Sequence, residues 1–341
     1  MAYDDAETAA VCLYTGRAPA ADVLKALNAC PRPLAALCSC LDADTHPSAA
    51  YTHRVLAPVL SIARADDALD DDDAECLDRL HDAHGSLLAS GTQPADVWIH
   101  RRFTLTRGGT PIWLRNSSNM LACATGAHVW PAGLALARLI LAHPQRFSGP
   151  DARVLELGAG AGLAALCCAL KIDPPPASLV ISDGSIEAVA NLSHNFELNG
   201  VHHSVVVDGS SDVECRVRVM HLPWDRVTLE LAGAMAPTIV LAADVCYDPA
   251  DAPSLACALA LLLSHNRAAC ASAIVLVTKR NADTVSCFQH AWRDAGLSWR
   301  DETDTILSAG GFQHLPPATH DQGEVVAFTL SGGHIYSRDV T

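Results

Sequence analysis

The sequence is poor in basic residues. Its 23 Lys and Arg stand against 38 Asp and Glu, which gives a formal net charge of -15. A protein that follows the phosphate backbone of a nucleic acid needs a basic face, so we expect no direct nucleic-acid binding. A small-molecule ligand or a basic protein partner is compatible with this charge.

Long apolar runs are also missing, although hydrophobic residues make up 50% of the chain and allow a sizeable core. No stretch approaches the roughly 18 apolar residues of a membrane span. The opening MAYDDAETAA is acidic and has no apolar segment, so a signal peptide is not expected. We therefore expect a cytoplasmic protein, and nothing in the sequence requires a second subunit, so we expect a monomer.

The thirteen cysteines include no C-x-x-C pair, which argues against a zinc knuckle or a thioredoxin-type motif. The pairs His81/His84 and His202/His203 have no third ligand at a suitable spacing. We expect reduced, mostly buried thiols and no metal site.

Two regions differ in composition. Residues 1–95 are rich in Ala and Leu and predict short amphipathic helices, whereas residues 96–341 predict a second domain. That domain begins with a β-hairpin at 98–115, where apolar and polar residues alternate on either side of Gly108-Gly109.

A run of nine acids lies between Asp66 and Asp82. Carboxylates favour the first turn of a helix, so the run is typical of a solvated helix start. An acidic docking surface for a basic partner is the alternative.

From Arg153 the pattern alternates between apolar strands and helices. This predicts a Rossmann-like, doubly wound α/β sheet with its ligand at the carboxyl ends of the strands. The predicted strands are Val154–Leu157, Leu179–Ser182, Arg216–His221, Thr238–Ala243, Ala273–Thr278, Leu297–Arg300 and Val325–Leu330. The predicted helices are Gly162–Leu170, Ile186–Leu198, Ser254–Leu263 and Asp283–Ala295.

The first of these strands runs into a glycine turn, VLELGAGAGLAAL. Gly158, Gly160 and Gly162 allow a tight turn ahead of a helix. A dinucleotide fingerprint would place glycine where Leu163 stands, and the Glu156 carboxylate would repel a pyrophosphate. Glu156 therefore favours a ligand with a positive portion, such as S-adenosyl-L-methionine.

Three later strand ends carry polar or aromatic residues. Asp183 is placed to accept hydrogen bonds from ribose hydroxyls, although it could instead cap the next helix. Trp224 could stack on an adenine or be an ordinary core residue. Asp244, followed by Tyr247, ends an apolar strand, where a carboxylate needs a partner.

Together, the glycine turn, Asp183, Trp224 and the ADVCY segment at 243–247 resemble the seven-β-strand S-adenosylmethionine-dependent methyltransferases. More narrowly, they resemble the lysine methyltransferases that carry a D-x-x-Y signature after the fourth strand. HVWPAGLALA, which contains Trp130, is similar to the segment that precedes the glycine turn in that family. The resemblance implies a seven-stranded sheet and cofactor contacts at Trp130, Gly158, Ala159, Gly160, Asp183, Trp224 and Ala243; from their place in the turn, Glu156 and Gly162 join this set.

The resemblance also implies protein-lysine N-methylation. Asp244 and Tyr247 occupy the D-x-x-Y positions, and we expect Asp244 to capture the incoming amine and Tyr247 to line its channel. Within the family the chain is most similar to the enzymes that act on translation elongation factor 2. One alternative is a methyltransferase of the same fold that acts on another protein, a small molecule or RNA. Another is a protein that binds the cofactor without catalysis.

Overall fold

The computed structural model describes residues 20–42, 71–89, 98–103, 110–117, 125–206, 215–265, 271–280, 282–307 and 324–332, and six single residues between 10 and 60. The described residues fall into two compact units, one within 1–123 and the other within 124–311 and 320–341. The functional boundary that the sequence places at residue 95 stays a prediction.

The first unit contains helices α1 (Ala20–Asn28), α2 (Pro33–Asp42) and α3 (Asp71–Ala89). Their apolar faces share a small core that includes the fully buried Val23, Leu37 and Leu80. Pro33 is the first residue of α2, where its missing N–H is harmless and its fixed φ suits the helix. The expected short amphipathic helices are therefore present in this unit.

The acidic run coincides with the start of α3. Asp73 lies 3.2 Å and Asp72 3.6 Å from the guanidinium of Arg32. Asp72 is largely exposed, and such surface ion pairs contribute little to stability. The described acids therefore fit a solvated helix start, whereas residues 66–70 lie outside the described residues and the docking alternative stays a prediction.

The predicted hairpin is confirmed in strands β1 (Trp98–Phe103) and β2 (Ile112–Ser117). They pair antiparallel with Phe103 opposite Ile112, and both side chains are buried. The Gly108-Gly109 turn lies outside the described residues.

The second unit confirms the predicted alternation of strands and helices. Its elements are α4 (Pro131–Ala142), β3 (Gly149–Leu157), α5 (Leu163–Lys171), β4 (Pro176–Asp183), α6 (Ile186–Leu198), β5 (Ser204–Val206), β6 (Val217–His221), α7 (Leu229–Met235), β7 (Ile239–Ala243), α8 (Ala252–His265), β8 (Ser272–Lys279), α9 (Ala282–Asp294), β9 (Leu297–Asp301), α10 (Thr303–Leu307) and β10 (Glu324–Gly332). β5, α7 and α10 were not expected from the sequence, because each is too short to show a period.

The strands form one sheet in the order β5-β6-β4-β3-β7-β8-β10-β9. From β3 the chain adds β4, β5 and β6 on one side of β3, and then returns to add β7 on the other side of β3. The strand order therefore reverses between β3 and β7. β10 runs antiparallel to both β8 and β9, and the remaining pairs are parallel. All seven predicted strands are present, and the short edge strand β5 makes eight.

Helices cover both faces of the sheet, with α4, α5 and α6 on one side and α7, α8 and α9 on the other. The central strands are buried on both faces, which explains their nearly continuous apolar sequences. No helix among the described residues is long and apolar enough to cross a membrane. The carboxyl ends of β3, β4, β6, β7 and β8 meet at one edge, where ligands bind in open α/β sheets.

Candidate active site

Three backbone N–H groups of the glycine turn after β3 donate to other groups of the protein. The N–H of Ala159 donates to the carbonyl of Ser182 at 2.9 Å, and that of Gly162 donates to the carbonyl of Ala159 at 2.9 Å. The N–H of Gly160 donates to Oδ2 of Asp183 at 3.0 Å. A phosphate cradle presents such N–H groups to its ligand, so this turn is poorly suited to a pyrophosphate.

Two of the glycines are required by close approaches. A Cβ on Gly158 would lie 2.6 Å from Cγ1 of Val245 and 3.9 Å from Cζ2 of Trp224. A Cβ on Gly160 would lie 3.1 Å from the carbonyl oxygen of Gly126. The segment before α4 therefore packs directly against the glycine turn, and Trp224 lies beside the same turn. A shared contact of these two regions with a cofactor would require this proximity.

Gly162 lies on the protein side of the turn. It precedes α5 as its N-cap with φ 84°, and a Cβ there would lie 2.6 Å from Cδ2 of Leu192 in α6. Its position is explained by helix packing, and its predicted contact with the cofactor stays a prediction.

The setting of Glu156 differs from the one that the sequence suggested. The residue is 3% exposed, and its Oε2 has no hydrogen-bond partner among the described residues. Burial raises the pKa of its carboxyl from 4.5 to about 8, the amide of Ala165 opposes this rise, and the charge of Asp183 adds to it. In the free protein Glu156 is therefore largely protonated at neutral pH, which corrects the expectation of a fixed negative charge beneath the turn.

Asp183 ties the ends of β3 and β4 together. Its Oδ2 accepts from Gly160 and its Oδ1 accepts from the N–H of Ser185 at 3.0 Å. The cap of α6 is Ser185, whose hydroxyl accepts from the N–H of Ala188. Burial raises the pKa of Asp183, while its hydrogen bonds to backbone amides and the nearby His221 lower it. Each carboxylate oxygen keeps a lone pair for a hydroxyl donor, as binding to a ribose would require.

Trp224 and Ala243 both lie at the carboxyl edge of the sheet and are partly exposed. Trp224 packs against the core beneath α8 as well as lying beside Gly158. The indole of Trp224 therefore contacts the core and also lies beside the glycine turn, so both roles considered from the sequence are compatible with its position.

Asp244 is bound on all sides by the protein. It has a left-handed φ of 56°, and its side chain is 4% exposed. Its Oδ1 accepts from the N–H of Thr278 at 2.8 Å, and its Oδ2 accepts from the hydroxyl of Thr278 at 2.7 Å and from the N–H of Ala132 at 3.3 Å. Capture of an amine by Asp244 stays a prediction, and the amine would share the carboxylate with these three donors.

Asp244 also performs the capping of α4. The N-cap of that helix is Trp130, whose side chain makes no capping hydrogen bond, so the N–H of Ala132 is satisfied by the Asp244 carboxylate instead. The guanidinium of Arg280 lies 3.7 Å from Oδ1 of Asp244 and 5.0 Å from the centre of the Trp130 ring. The end of β7, the end of β8 and the start of α4 are thereby joined.

Tyr247 and Cys246 lie on opposite sides of the segment after β7. Tyr247 is 53% exposed, which suits a residue at the entrance to a channel. Cys246 is buried, and burial raises the pKa of its thiol, so it is a core residue and not a reactive cysteine. Within the described part of the chain, no three His, Cys, Asp or Glu residues are grouped to hold a metal ion.

Three residues of this region were not found from the sequence: Gly126, Thr278 and Arg280. The signal for Thr278 and Arg280 was available, because both lie at the end of an apolar strand where the fold places its ligand. Gly126 precedes α4 in a segment without periodicity, and only its contact with Gly160 reveals its place.

Comparison with known proteins gives a consistent result. Residues 110–292 match the profile of a family described as lysine methyltransferase. The chain is 31% identical to protein-lysine N-methyltransferase EEF2KMT of Mus musculus, over 67% of this chain and 65% of that protein. It is 30% identical to protein-lysine N-methyltransferase EFM3 of Chaetomium thermophilum, over 77% and 78%. It is also 31% identical to calmodulin-lysine N-methyltransferase of Arabidopsis thaliana, over half of each chain.

The matched part of the mouse relative is thus slightly less than two thirds of its length. The family profile itself spans the glycine turn, Asp183, Trp224 and the D-x-x-Y segment.

Proposed function

We propose that this chain, which belongs to the lysine methyltransferase family, transfers a methyl group from S-adenosyl-L-methionine to a lysine side chain of another protein. We further propose that the substrate is translation elongation factor 2. The observation that carries the cofactor assignment is the donation of the turn's N–H groups to other groups of the protein, together with the Asp183 carboxylate at its rim.

The residues at the carboxyl edge fit this cofactor. Asp183 offers two carboxylate oxygens as acceptors for the 2′- and 3′-hydroxyls of a ribose. The glycine turn is poorly suited to the phosphates that a dinucleotide would bring. Trp224 lies beside Gly158, where an aromatic face suits an adenine. Trp130 approaches from the start of α4 and completes the group of residues that would hold the cofactor. S-adenosylmethionine, when bound, supplies a methyl group activated on a sulfonium.

The acceptor amine must be neutral and lie in line with the methyl group. An ordinary lysine titrates near 10.4, so the free amine at pH 7 costs roughly 4–5 kcal/mol. We propose that Asp244 and Tyr247 form the acceptor end of the site. Tyr247, exposed beside the Asp244 loop, would pack its ring against the lysine stem, and the whole arrangement acts by orientation.

The choice of elongation factor 2 has weaker support than the chemistry. It rests on the similarity to EEF2KMT and EFM3 and on the negative charge of the chain, which suits a basic partner. The calmodulin-lysine N-methyltransferase relative shows that substrates differ within similar proteins. A substrate in the translation machinery implies a cytoplasmic location, and we propose a monomer that binds its substrate protein directly.

The test is a labelling experiment. The purified chain is incubated with S-adenosylmethionine carrying a labelled methyl group and with a cytosolic extract from cells that lack this chain. A labelled band of the size of elongation factor 2, with the label on lysine by mass spectrometry, is the expected result.

Two variants accompany this experiment. Asp183→Ala is expected to lower labelling about tenfold or more when S-adenosylmethionine is scarce, whereas Asp304→Ala removes an exposed acid in the first turn of α10 and should leave it unchanged. A labelled band of another size would refute elongation factor 2 but keep the class. Label found only in small metabolites or RNA would refute lysine methylation.

A further inference from the structure

Arg280 lies immediately after β8, at the edge of the sheet where the methyl transfer would occur. Its guanidinium is held on one side by Asp244, 3.7 Å from Oδ1, and on the other by the ring of Trp130 at 5.0 Å. The two ion-pair partners differ greatly in exposure, since the side chain of Arg280 is 45% exposed and that of Asp244 is 4% exposed. A molecule that approaches this edge therefore meets the guanidinium and the indole before it meets the carboxylate.

The Asp244 carboxylate is held in place by three hydrogen bonds. Both oxygens accept hydrogen bonds from Thr278, and one also accepts from the N–H of Ala132. These contacts fix the carboxylate between β7, β8 and α4, so its charge is immobile. Among the described residues, Arg280 forms an ion pair with it.

We propose that Arg280 is a positioning residue of the methyl-transfer site, which balances the charge of Asp244 so that the acceptor lysine meets an ion pair instead of a bare carboxylate. This inference rests on the proposed function, because it concerns the protonation of the acceptor amine.

The physical reason is that the charges near the acceptor amine decide whether its neutral or its protonated form is favoured. A carboxylate nearby stabilises the ammonium form and raises the pKa of a lysine, whereas only the neutral amine can attack the methyl group. A cation next to the site has the opposite effect and favours the free amine. Removal of Arg280 would leave the buried carboxylate to hold the substrate as an unreactive ammonium.

We expect the loss of Arg280 to affect turnover and acceptor binding in opposite ways. In Arg280→Gln we expect kcat to fall about tenfold, since a rise of one pKa unit in the acceptor lowers its neutral fraction by that factor. The KM for the acceptor protein should fall, because the ammonium is bound more tightly. A purely structural role would lower the amount of active enzyme without lowering KM.

Two companion variants make the test specific. Arg280→Lys keeps the positive charge and should retain kcat within about threefold of the wild type, although it loses the planar stack on Trp130. Lys279→Gln is the matched control, because it removes a neighbouring cation of similar exposure that pairs with Glu324 at 3.9 Å. Lys279→Gln should leave both constants unchanged.

The acceptor in these assays is the protein labelled in the extract experiment, and binding of S-adenosylhomocysteine is measured by calorimetry for each variant. The inference is overturned if Arg280→Gln raises the KM at unchanged kcat, if it loses S-adenosylhomocysteine binding in proportion to kcat, or if Lys279→Gln shows the same loss. If Arg280→Gln does not fold, a tenfold loss of kcat in folded Arg280→Lys overturns it and retention of kcat supports it. A wild type that binds S-adenosylhomocysteine and labels no protein refutes the proposed function, and the inference with it.

Discussion

Replacement of Glu156 by Gln should remove a loss of stability that the wild type shows as the pH rises. The residue is fully enclosed beneath α5, with Oε2 unpartnered among the described residues. Gln keeps an oxygen for the amide of Ala165 and adds a neutral N–H₂ group of nearly the same size. The substitution thus removes the ionisation and leaves the packing almost unchanged.

The sign follows from the raised pKa of Glu156, about 8 in the folded chain against an ordinary 4.5. Below pH 4.5 the carboxyl is protonated in both states, and its contribution to stability is fully present. Between pH 4.5 and about 8 the unfolded chain releases a proton that the folded chain retains, so the unfolding free energy falls as the pH rises. Above about pH 8 both states are ionised and the loss is complete.

The magnitude follows from the same values. One pKa unit corresponds to about 1.4 kcal/mol, and the unfolded carboxyl is ionised over most of the range between pH 5 and pH 8. Relative to Glu156→Gln, the wild type should therefore lose about 3 kcal/mol of unfolding free energy between these two pH values.

The assay is urea unfolding of both proteins at pH 5 and pH 8, followed by tryptophan fluorescence. The difference between the two proteins isolates Glu156, because other groups such as Asp183 titrate in both. Glu187→Gln, which removes an exposed carboxyl in the first turn of α6, serves as the control and should show no such loss. A change below about 1 kcal/mol between the two pH values would refute the assignment of a buried, protonated carboxyl.

Three other substitutions address the site directly. Asp183→Ala should weaken S-adenosylhomocysteine binding about tenfold or more in calorimetry, because it removes charged acceptors from the ribose position; affinity within threefold of the wild type would contradict this. Gly160→Ala should lower the unfolding free energy by about 1–2 kcal/mol in urea titrations, since its Cβ would press on Gly126 at a left-handed φ; an unchanged midpoint would show that the segment is not seated on the turn. Asp244→Ala should abolish methyl transfer while S-adenosylhomocysteine affinity stays within a few-fold, and equal loss of both would place Asp244 in the cofactor site alone.

The second unit was largely predictable from the sequence, for a clear physical reason. Parallel strands that are buried on both faces give uninterrupted apolar runs, and the helices between them keep their own period. The seven predicted strands and four predicted helices are therefore present. β5 escaped prediction because three residues at a sheet edge carry no pattern, and α7 because its seven residues are too few.

The candidate site was predictable in its positions but not in its contacts. The rule that ligands bind at the carboxyl ends of strands located Asp183, Trp224 and Asp244 correctly at one edge. Sequence spacing gave no information on the environment of each carboxyl, so Glu156 was treated as an anion although burial keeps it protonated. The same limit hid the partners of Asp244, because Ala132 and Arg280 are remote from it along the chain and contact it only in the folded protein.

The contact between Gly126 and Gly160 has a consequence for the energetics of recognition. Each glycine leaves room for the backbone of the other, and a side chain on Gly126 would strike Ala188 at 2.9 Å. These close approaches fix the segment that carries Trp130 against the turn through contacts within the protein itself. The entropy of ordering that segment is spent once, when the polypeptide folds, and does not reduce the affinity of each later encounter.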